Sequence, residues 1–312
     1  MQKISKILEK CQVQAAQAKE QREVELKRPV TQVTQKAQVI KLPIWPDDAR
    51  GVPNSIIRSA LFGIVRRGRR MYVEERKIAS IVGIDIIYSG PQLDQADLDV
   101  WEECLQLSRD QVGNNIEFSS YSFLKKNQRS NGKHDYDWLK KSLRRLQSAV
   151  VEITDDKRAY SGQLIHDYYR DDETKRNVIV INPKILALYG KNGWTGIDQS
   201  QRLSLKSQPL AQWLHVFYST HAKPYPYKIS TLRELCGSET KELWKFRQQL
   251  KKTIEQVSKV TKWKIWIDDN DLLHVKKHGI AGRVVFKKSS TDHMTSDFQK
   301  NIFFANPFLI SL

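Results

Sequence analysis

The sequence is poor in cysteine, in long apolar runs and in negative charge, and each shortage removes a class of protein. Its three cysteines, Cys11, Cys104 and Cys236, lie far apart and make no Cys-x-x-Cys pair. That excludes a disulfide framework and suits a reducing cytoplasm. No segment approaches the roughly 18 apolar residues that a bilayer span needs. The opening stretch MQKISKILEKCQVQAAQAKEQREVELK has no continuous apolar core, so it does not read as a secretory signal. The chain is therefore expected to be soluble and cytoplasmic, with no membrane partner. No Gly-x-x-x-x-Gly-Lys-Ser/Thr loop is present to cradle a nucleotide. His274 and His278 are four residues apart, but no cysteine or carboxylate cluster accompanies them, so no zinc site is expected. The stretch DDNDLLH lacks the glycine and distal glutamate of a calcium loop and reads as a hairpin turn. No cofactor, metal or catalytic centre is expected.

Positive charge is abundant. Among 312 residues, 52 Lys and Arg face 35 Asp and Glu, leaving +17. Such an excess points to a polyanionic partner, with nucleic acid the first candidate and an anionic membrane surface the second. The hydrophobic fraction of 40% is enough for a real core, and the length suits about two domains.

Residues 1–41 are rich in Gln, Lys and Glu and are then interrupted by Pro29, which predicts a helical or disordered arm followed by a linker. The folded body is expected to begin near Leu42. NSIIRSALFGIV (54–65) is apolar at helical or mixed spacing, and candidate strands follow at 71–74 and 84–88. In DQADLDVWEECLQLSRD (94–110) and just beyond it, Leu98, Trp101, Leu105 and Val112 fall on a helical repeat, and aspartates crowd the first turn where the helix dipole favours them. Then come a short strand NIEFS, a short helix SYSFLKKN, a turn, and the helix KHDYDWLKKSLRRLQSAV. VVEIT, LIHDYYR and NVIVIN follow as strands, with DDKRAYSGQ a polar loop between the first two.

Helix, strand, helix, turn, helix and strand ribbon is the order of a winged helix-turn-helix. It recurs from about residue 204, with SLKSQPLAQWLHVFYSTH, the strand YKI, the helices STLRELCG and SETKELWKFRQQLKKTIEQVSKV, and the ribbon KWKIWID and LLHVKK. The expected fold is α+β, with tandem winged-helix domains and a flexible N-terminal arm. Residues 42–200 form the first winged-helix domain with its N-terminal extension and 201–277 the second, and 278–312 are a C-terminal tail.

In the first module's third helix, Leu139, Ser142, Leu143 and Leu146 share one face, while Lys140, Lys141, Arg144 and Arg145 share the other, with Lys133 at the helix start. In the second, Leu243, Phe246, Leu250, Ile254 and Val257 oppose Lys241, Lys245, Gln248 and Lys252, and Trp244 sits at the margin. A basic helix face fits the major groove. It is also what any solvated helix presents, and its recurrence at the same place in both modules, together with the excess positive charge, favours the groove. RRGRR adds Arg66, Arg67, Arg69 and Arg70, an electrostatic patch suited to the phosphate backbone. Tyr168 and Tyr169 invite a nicking reading with tyrosine as nucleophile. They lie in an expected strand, where packing is the commoner role, and no His-x-His pair supports a metal-dependent nickase.

Three long strings, LPIWPDDARGVPNSIIRSALF, IIYSGPQLDQADLDVWEECLQL and FYSTHAKPYPYKISTLRELCGSETKELWKFRQQLKK, resemble the TrfA-type plasmid replication initiators in the same order, over roughly residues 42–277. The resemblance implies a plasmid replication initiator that binds directly repeated origin sequences (iterons) in duplex DNA and opens the origin. It also implies recruitment of the host replication initiator, replicative helicase and sliding clamp. A homodimer off DNA is a further expected state. In the clamp motif that the family carries before its Trp-Pro-Asp, Gln38 and Leu42 stand at the end positions, while Lys41 and a missing Phe depart from it. The alternatives are a winged-helix transcriptional regulator or autorepressor, and more distantly a tyrosine-dependent nicking enzyme.

Overall fold

The structure is a computed structural model. It describes residues 41–277 apart from 67, 112–114, 156–157, 172, 175 and 191–192. The expected arm before residue 41 and the expected tail from 278 lie outside the described residues, as do Gln38, Arg67, Val112, Cys11 and His278.

The described chain opens with β1 (Ala49–Pro53), α1 (Asn54–Ile57), β2 (Phe62–Gly63), β3 (Tyr72–Ile78), β4 (Ile84–Pro91) and β5 (Leu93–Asp94). Of the stretch 54–65, read as helical or mixed, one turn is helical, and Phe62–Gly63 pairs in parallel with Leu93–Asp94 instead. Helix α2 (Gln95–Asp110) then starts on a capping box. The Asp94 carboxylate accepts from the backbone N–H groups of Ala96 and Asp97, while Asp97 Oδ2 accepts from Asp94 N–H. Its predicted apolar stripe is buried at Leu98, Trp101 and Leu105, and Cys104 is buried beside it.

Helix α2 is enclosed well beyond that stripe. Asp97, Glu102 and Glu103 are buried too, and buried charges need partners. Four arginines from other parts of the chain supply them. Arg50 of β1 reaches Glu103 at 2.8 Å, and Arg202 reaches Glu102 at 3.1 Å. Arg70 and Arg145 converge on Asp97. The acids that read as dipole partners are chiefly counter-ions tying distant segments to one helix.

Beyond α2 the chain forms β6 (Asn115–Phe118), α3 (Ser120–Lys126), α4 (Lys133–Ser148), β7 (Val150–Asp155), β8 (Arg158–Gln163), β9 (Ile165–Arg170) and β10 (Asn177–Ile181). The segment expected to be a polar loop is mostly β8, paired with β7 from Val150↔Gln163 to Asp155↔Arg158. The buried Tyr160 is flanked by the exposed Ala159 and Ser161, so alternation is present in a segment that is nearly all polar. β3, β4, β7 and β8 form an antiparallel sheet of that order, and β6, β10 and β9 form another in the order β6-β10-β9.

A short 3₁₀ helix, Pro183–Tyr189, leads to β11 (Trp194–Asp198), which pairs with β1 from Ala49↔Asp198 to Pro53↔Trp194. Trp45 packs across β1, stacked on Tyr189 with centroids 6.2 Å apart. A Cβ on Gly51 would lie 2.3 Å from the Trp45 ring, so this position is held to glycine.

Next come α5 (Gln199–Ser204), α6 (Pro209–Ser219), β12 (Tyr227–Lys228), α7 (Ile229–Leu235), α8 (Leu243–Thr261), β13 (Lys264–Ile267) and β14 (Leu272–Lys276). Helix α8 begins later than the sequence suggests, at Leu243, and Lys241 falls in the turn before it. The sheet order here is β12-β14-β13. Thus α2-β6-α3-α4-β9-β10 and α6-β12-α7-α8-β13-β14 share one element order and one sheet order, with the first strand beside the third. The β7–β8 hairpin is inserted into the first copy only. Each copy has its own buried cluster, one around Trp101, Leu143 and Ile179 and one around Phe217, Phe246 and Leu250.

The segment before α2 is joined to the second copy by specific polar contacts. Ile64 N–H donates to the Cys236 carbonyl at 2.9 Å, Trp213 Nε1 donates to the Ser59 carbonyl at 3.3 Å, and Arg58 Nε donates to Thr220 Oγ1 at 2.9 Å. His215 of α6 lies in this region, 1% exposed, with its Nε2 3.1 Å from Gln201 Oε1. Burial, helped by the nearby Arg202 and Lys277 charges, pushes its imidazole down to about 3. The folded state therefore holds His215 neutral, whereas the unfolded chain protonates it near pH 6.5. Its contribution is complete above about pH 6.5 and is lost as pH falls from there towards 3, at about 1.4 kcal/mol per pH unit. Urea unfolding between pH 6.5 and 5 should show wild type losing stability more steeply than His215→Gln by about that slope. Parallel pH profiles would count against the assignment.

Candidate nucleic-acid interface

Helix α4 is held from both ends and from behind. Leu139, Ser142, Leu143 and Leu146 are buried, as the spacing predicts. At its start, Arg129 sits over the Trp138 ring, 3.4 Å from the centroid, and donates to Asp135 Oδ1 at 2.8 Å. Arg145 turns inward, where Nη2 lies 2.5 Å and Nε 3.1 Å from Asp97 Oδ1, and Ser142 Oγ donates to the same carboxylate. Arg145 thus clamps α4 to α2 and is unavailable to a groove, which removes it from the set expected on the outer face. Lys133, Lys140, Lys141 and Arg144 are exposed, together with Asp137.

In the second copy, Phe246, Leu250 and Val257 are fully buried, Ile254 is half-buried, and Leu243 is 36% exposed at the margin of the face it was expected to share. Lys245, Gln248 and Lys252 are exposed along α8, and Lys251 joins them although the spacing argument passed over it. Lys241 is exposed beside the helix N-terminus, its carbonyl accepting from Arg233 Nη1 at 2.8 Å. Lys245 is partly committed, with Nζ 3.4 Å from Glu242 Oε2 and 5.3 Å from the Trp244 ring. The Glu242 carboxyl is held below its usual range by a hydrogen bond to its own backbone N–H and by Lys245.

The arginine cluster divides. Arg66 and Arg69 are exposed, on either side of Gly68 at φ 75°. Arg70 is folded back onto Asp94, the Gln92 carbonyl and, at 2.9 Å, Asp97. Gln38, expected at a clamp motif, lies outside the described residues. Its partner Leu42 is 8% exposed and belongs to the first buried cluster, so it is not offered to another protein.

The two tyrosines of β9 differ. Tyr169 is exposed, while Tyr168 is half-buried with its hydroxyl 3.3 Å from Asn177 Oδ1. Burial raises the Tyr168 hydroxyl above its ordinary value despite Arg144 and Arg170, the wrong direction for a nucleophile at neutral pH. His274 is paired with Asp268 at 2.9 Å and stacked on Trp266. Among the described residues no group of His, Cys, Asp or Glu is arranged to hold a metal ion, and no helix is long and apolar enough to cross a membrane.

Comparison with solved structures finds domains 2–3 of RctB at a TM-score of 0.49 and 11% identity, covering 73% of this chain and 98% of that one. The Pi initiator protein in complex with iteron DNA matches at a TM-score of 0.44 and 12% identity, over 58% of this chain and 92% of that one. Among sequences, the plasmid replication initiator protein TrfA of Escherichia coli is 30% identical over 248 residues. That alignment takes in 75% of this chain and 63% of the relative, so the chain spans less than two thirds of the protein it matches. The family model described as TrfA protein matches residues 9–277, and on that span the chain belongs to the TrfA family.

Proposed function

We propose that this protein is a non-enzymatic, cytoplasmic initiator of plasmid DNA replication that binds directly repeated origin sequences in duplex DNA through two winged-helix modules. One observation carries the reading. The same element order and sheet order occur twice, and each copy leaves the outer face of its third helix basic and free of packing. In a winged helix that is the element that enters the major groove. Lys133, Lys140, Lys141 and Arg144 serve the first module, and Lys241, Lys245, Gln248, Lys251 and Lys252 the second. Arg66 and Arg69 add phosphate contacts. Because Gln212 of α6 and Arg202 of α5 both donate to Asp99 of α2, both helices engage one composite site longer than a helical turn.

Opening of the origin and recruitment of the host initiator and replicative helicase rest on family membership and its replication-initiator relative. The buried Leu42 argues that any clamp contact uses other residues. The test supplies the full chain in trans to a plasmid carrying direct repeats found beside its coding sequence. The expected outcome is plasmid maintenance that depends on those repeats, with each repeat footprinted over more than one turn. Repression of the adjacent promoter without maintenance would overturn initiation in favour of an autorepressor.

A further inference from the structure

The crests of the two basic helices carry different chemistry. At 100° per residue, Phe246, Leu250 and Val257 define the inward direction of α8. Gln248 then points directly away from the core, with Trp244 and Lys252 about 40° to either side. Trp244 is 64% exposed in the first turn, an unusually large apolar side chain to leave in water. In α4 the corresponding crest carries Asp137, Lys141 and Arg144, all charged, with Ser148 at its end. Here an indole and a carboxamide stand one turn apart, about 6 Å along the axis. Exposed lysines surround them: Lys241, Lys245, Lys251 and Lys252. The acid on this crest, Glu255, lies about 16 Å further along the helix from Trp244.

An exposed tryptophan ringed by lysine is a poor centre for a protein interface, where lysine is depleted. The ring of positive charge does complement duplex DNA. In the major groove, adenine offers N7 and the N6 amine to a glutamine carboxamide, and thymine offers its C5 methyl to an apolar side chain. Guanine offers two acceptors in a row, which suit arginine or lysine better. We infer that Trp244 and Gln248 read A·T base pairs, Gln248 through adenine N6 and N7 and Trp244 through a thymine methyl, while the surrounding lysines hold phosphates. This rests on the reading of α8 as a groove-binding helix.

The test uses the full chain and the duplex it selects from a random-sequence library. Each thymine in that duplex is replaced in turn by uracil, which lacks only the methyl, and each adenine by 7-deazaadenine, which lacks the N7 acceptor. At one thymine, uracil should lower wild-type affinity about fourfold, the worth of one buried methyl. Trp244→Ala should lose affinity for the parent duplex and become indifferent to uracil at that position, with its salt dependence unchanged because no phosphate contact is lost. Gln248→Ala should lose about fivefold or more and become indifferent to 7-deazaadenine at one adenine. Variants that keep both base-analogue sensitivities, or a Trp244→Ala chain that binds as wild type, overturn the assignment while leaving groove binding intact. A chain that selects no duplex overturns the groove reading, and the assignment with it.

Discussion

Replacing Arg202 with alanine is expected to lower the stability of the folded body by about 3–5 kcal/mol. In a melting experiment this should appear as a fall in Tm of about 10 °C or more. Arg202 is 1% exposed, and every part of its guanidinium is engaged. Nε lies 2.7 Å from Asp99 Oδ1 and 3.1 Å from Glu102 Oε2, while Nη1 and Nη2 donate to the side-chain and backbone oxygens of Gln95. Removing it leaves Glu102, 2% exposed, without a counter-ion. An uncompensated buried charge costs far more than the pair contributes.

The loss should depend on pH in a defined direction. Burial already pushes the Glu102 carboxyl up to about 7, with Arg202 pulling the other way. A carboxyl raised in the fold contributes stability that is complete below its unfolded value near pH 4.5 and is lost as pH rises through the folded value. Without Arg202 that value climbs further. The deficit of Arg202→Ala should therefore be larger at pH 8 than at pH 6, and adding Glu102→Gln should recover part of it at pH 8. A deficit independent of pH would show that Glu102 is not the group left stranded. Because Arg202 joins α2 of the first copy to the segment leading into the second, the variant should also bind a composite DNA site less tightly than either half-site predicts.

Periodicity carried the helices. Leu98, Trp101 and Leu105 in α2, Leu139, Leu143 and Leu146 in α4, and Phe246, Leu250 and Val257 in α8 are all buried as their spacing requires. Elements whose partners are remote in sequence were not legible. β1 pairs with β11 across about 145 residues, and the β8 sequence RAYSGQ has one large apolar residue, Tyr160, to signal a strand. The same limit governed the site. Spacing states the direction in which a side chain leaves a helix, but not what it meets. Arg144 and Arg145 are adjacent and alike in sequence. One is exposed and the other is held by Asp97, 48 residues earlier in the chain. Arg70 was likewise indistinguishable from Arg69 until Asp94 and Asp97 were seen beside it. Leu42 read equally as a linker or a docking residue, and burial in the first core decides for packing.

That partition sharpens the test of DNA binding. The triple variant Lys140→Ala, Lys141→Ala, Arg144→Ala removes exposed cations from α4 without touching its core face or its clamp to α2. Each phosphate contact contributes about 0.9 to the slope of log affinity against log salt, equivalent to roughly fivefold in affinity at 0.15 M. If all three residues touch phosphates, the slope should shrink by about 2.7 and affinity for the repeat should fall on the order of 100-fold at that salt. A residue that reads a base edge instead should cost affinity and relax selectivity at one position while leaving the slope alone. Arg145→Ala is the opposing control. It strips Asp97 of a partner 2.5 Å away, so it should lower Tm and leave the salt slope unchanged. Fluorescence anisotropy across a potassium chloride series, paired with thermal melts of the same proteins, separates the two. If the triple variant kept both its slope and its affinity, α4 would not be a DNA-binding helix. If Arg145→Ala flattened the slope at unchanged Tm, the inward clamp would not form in solution.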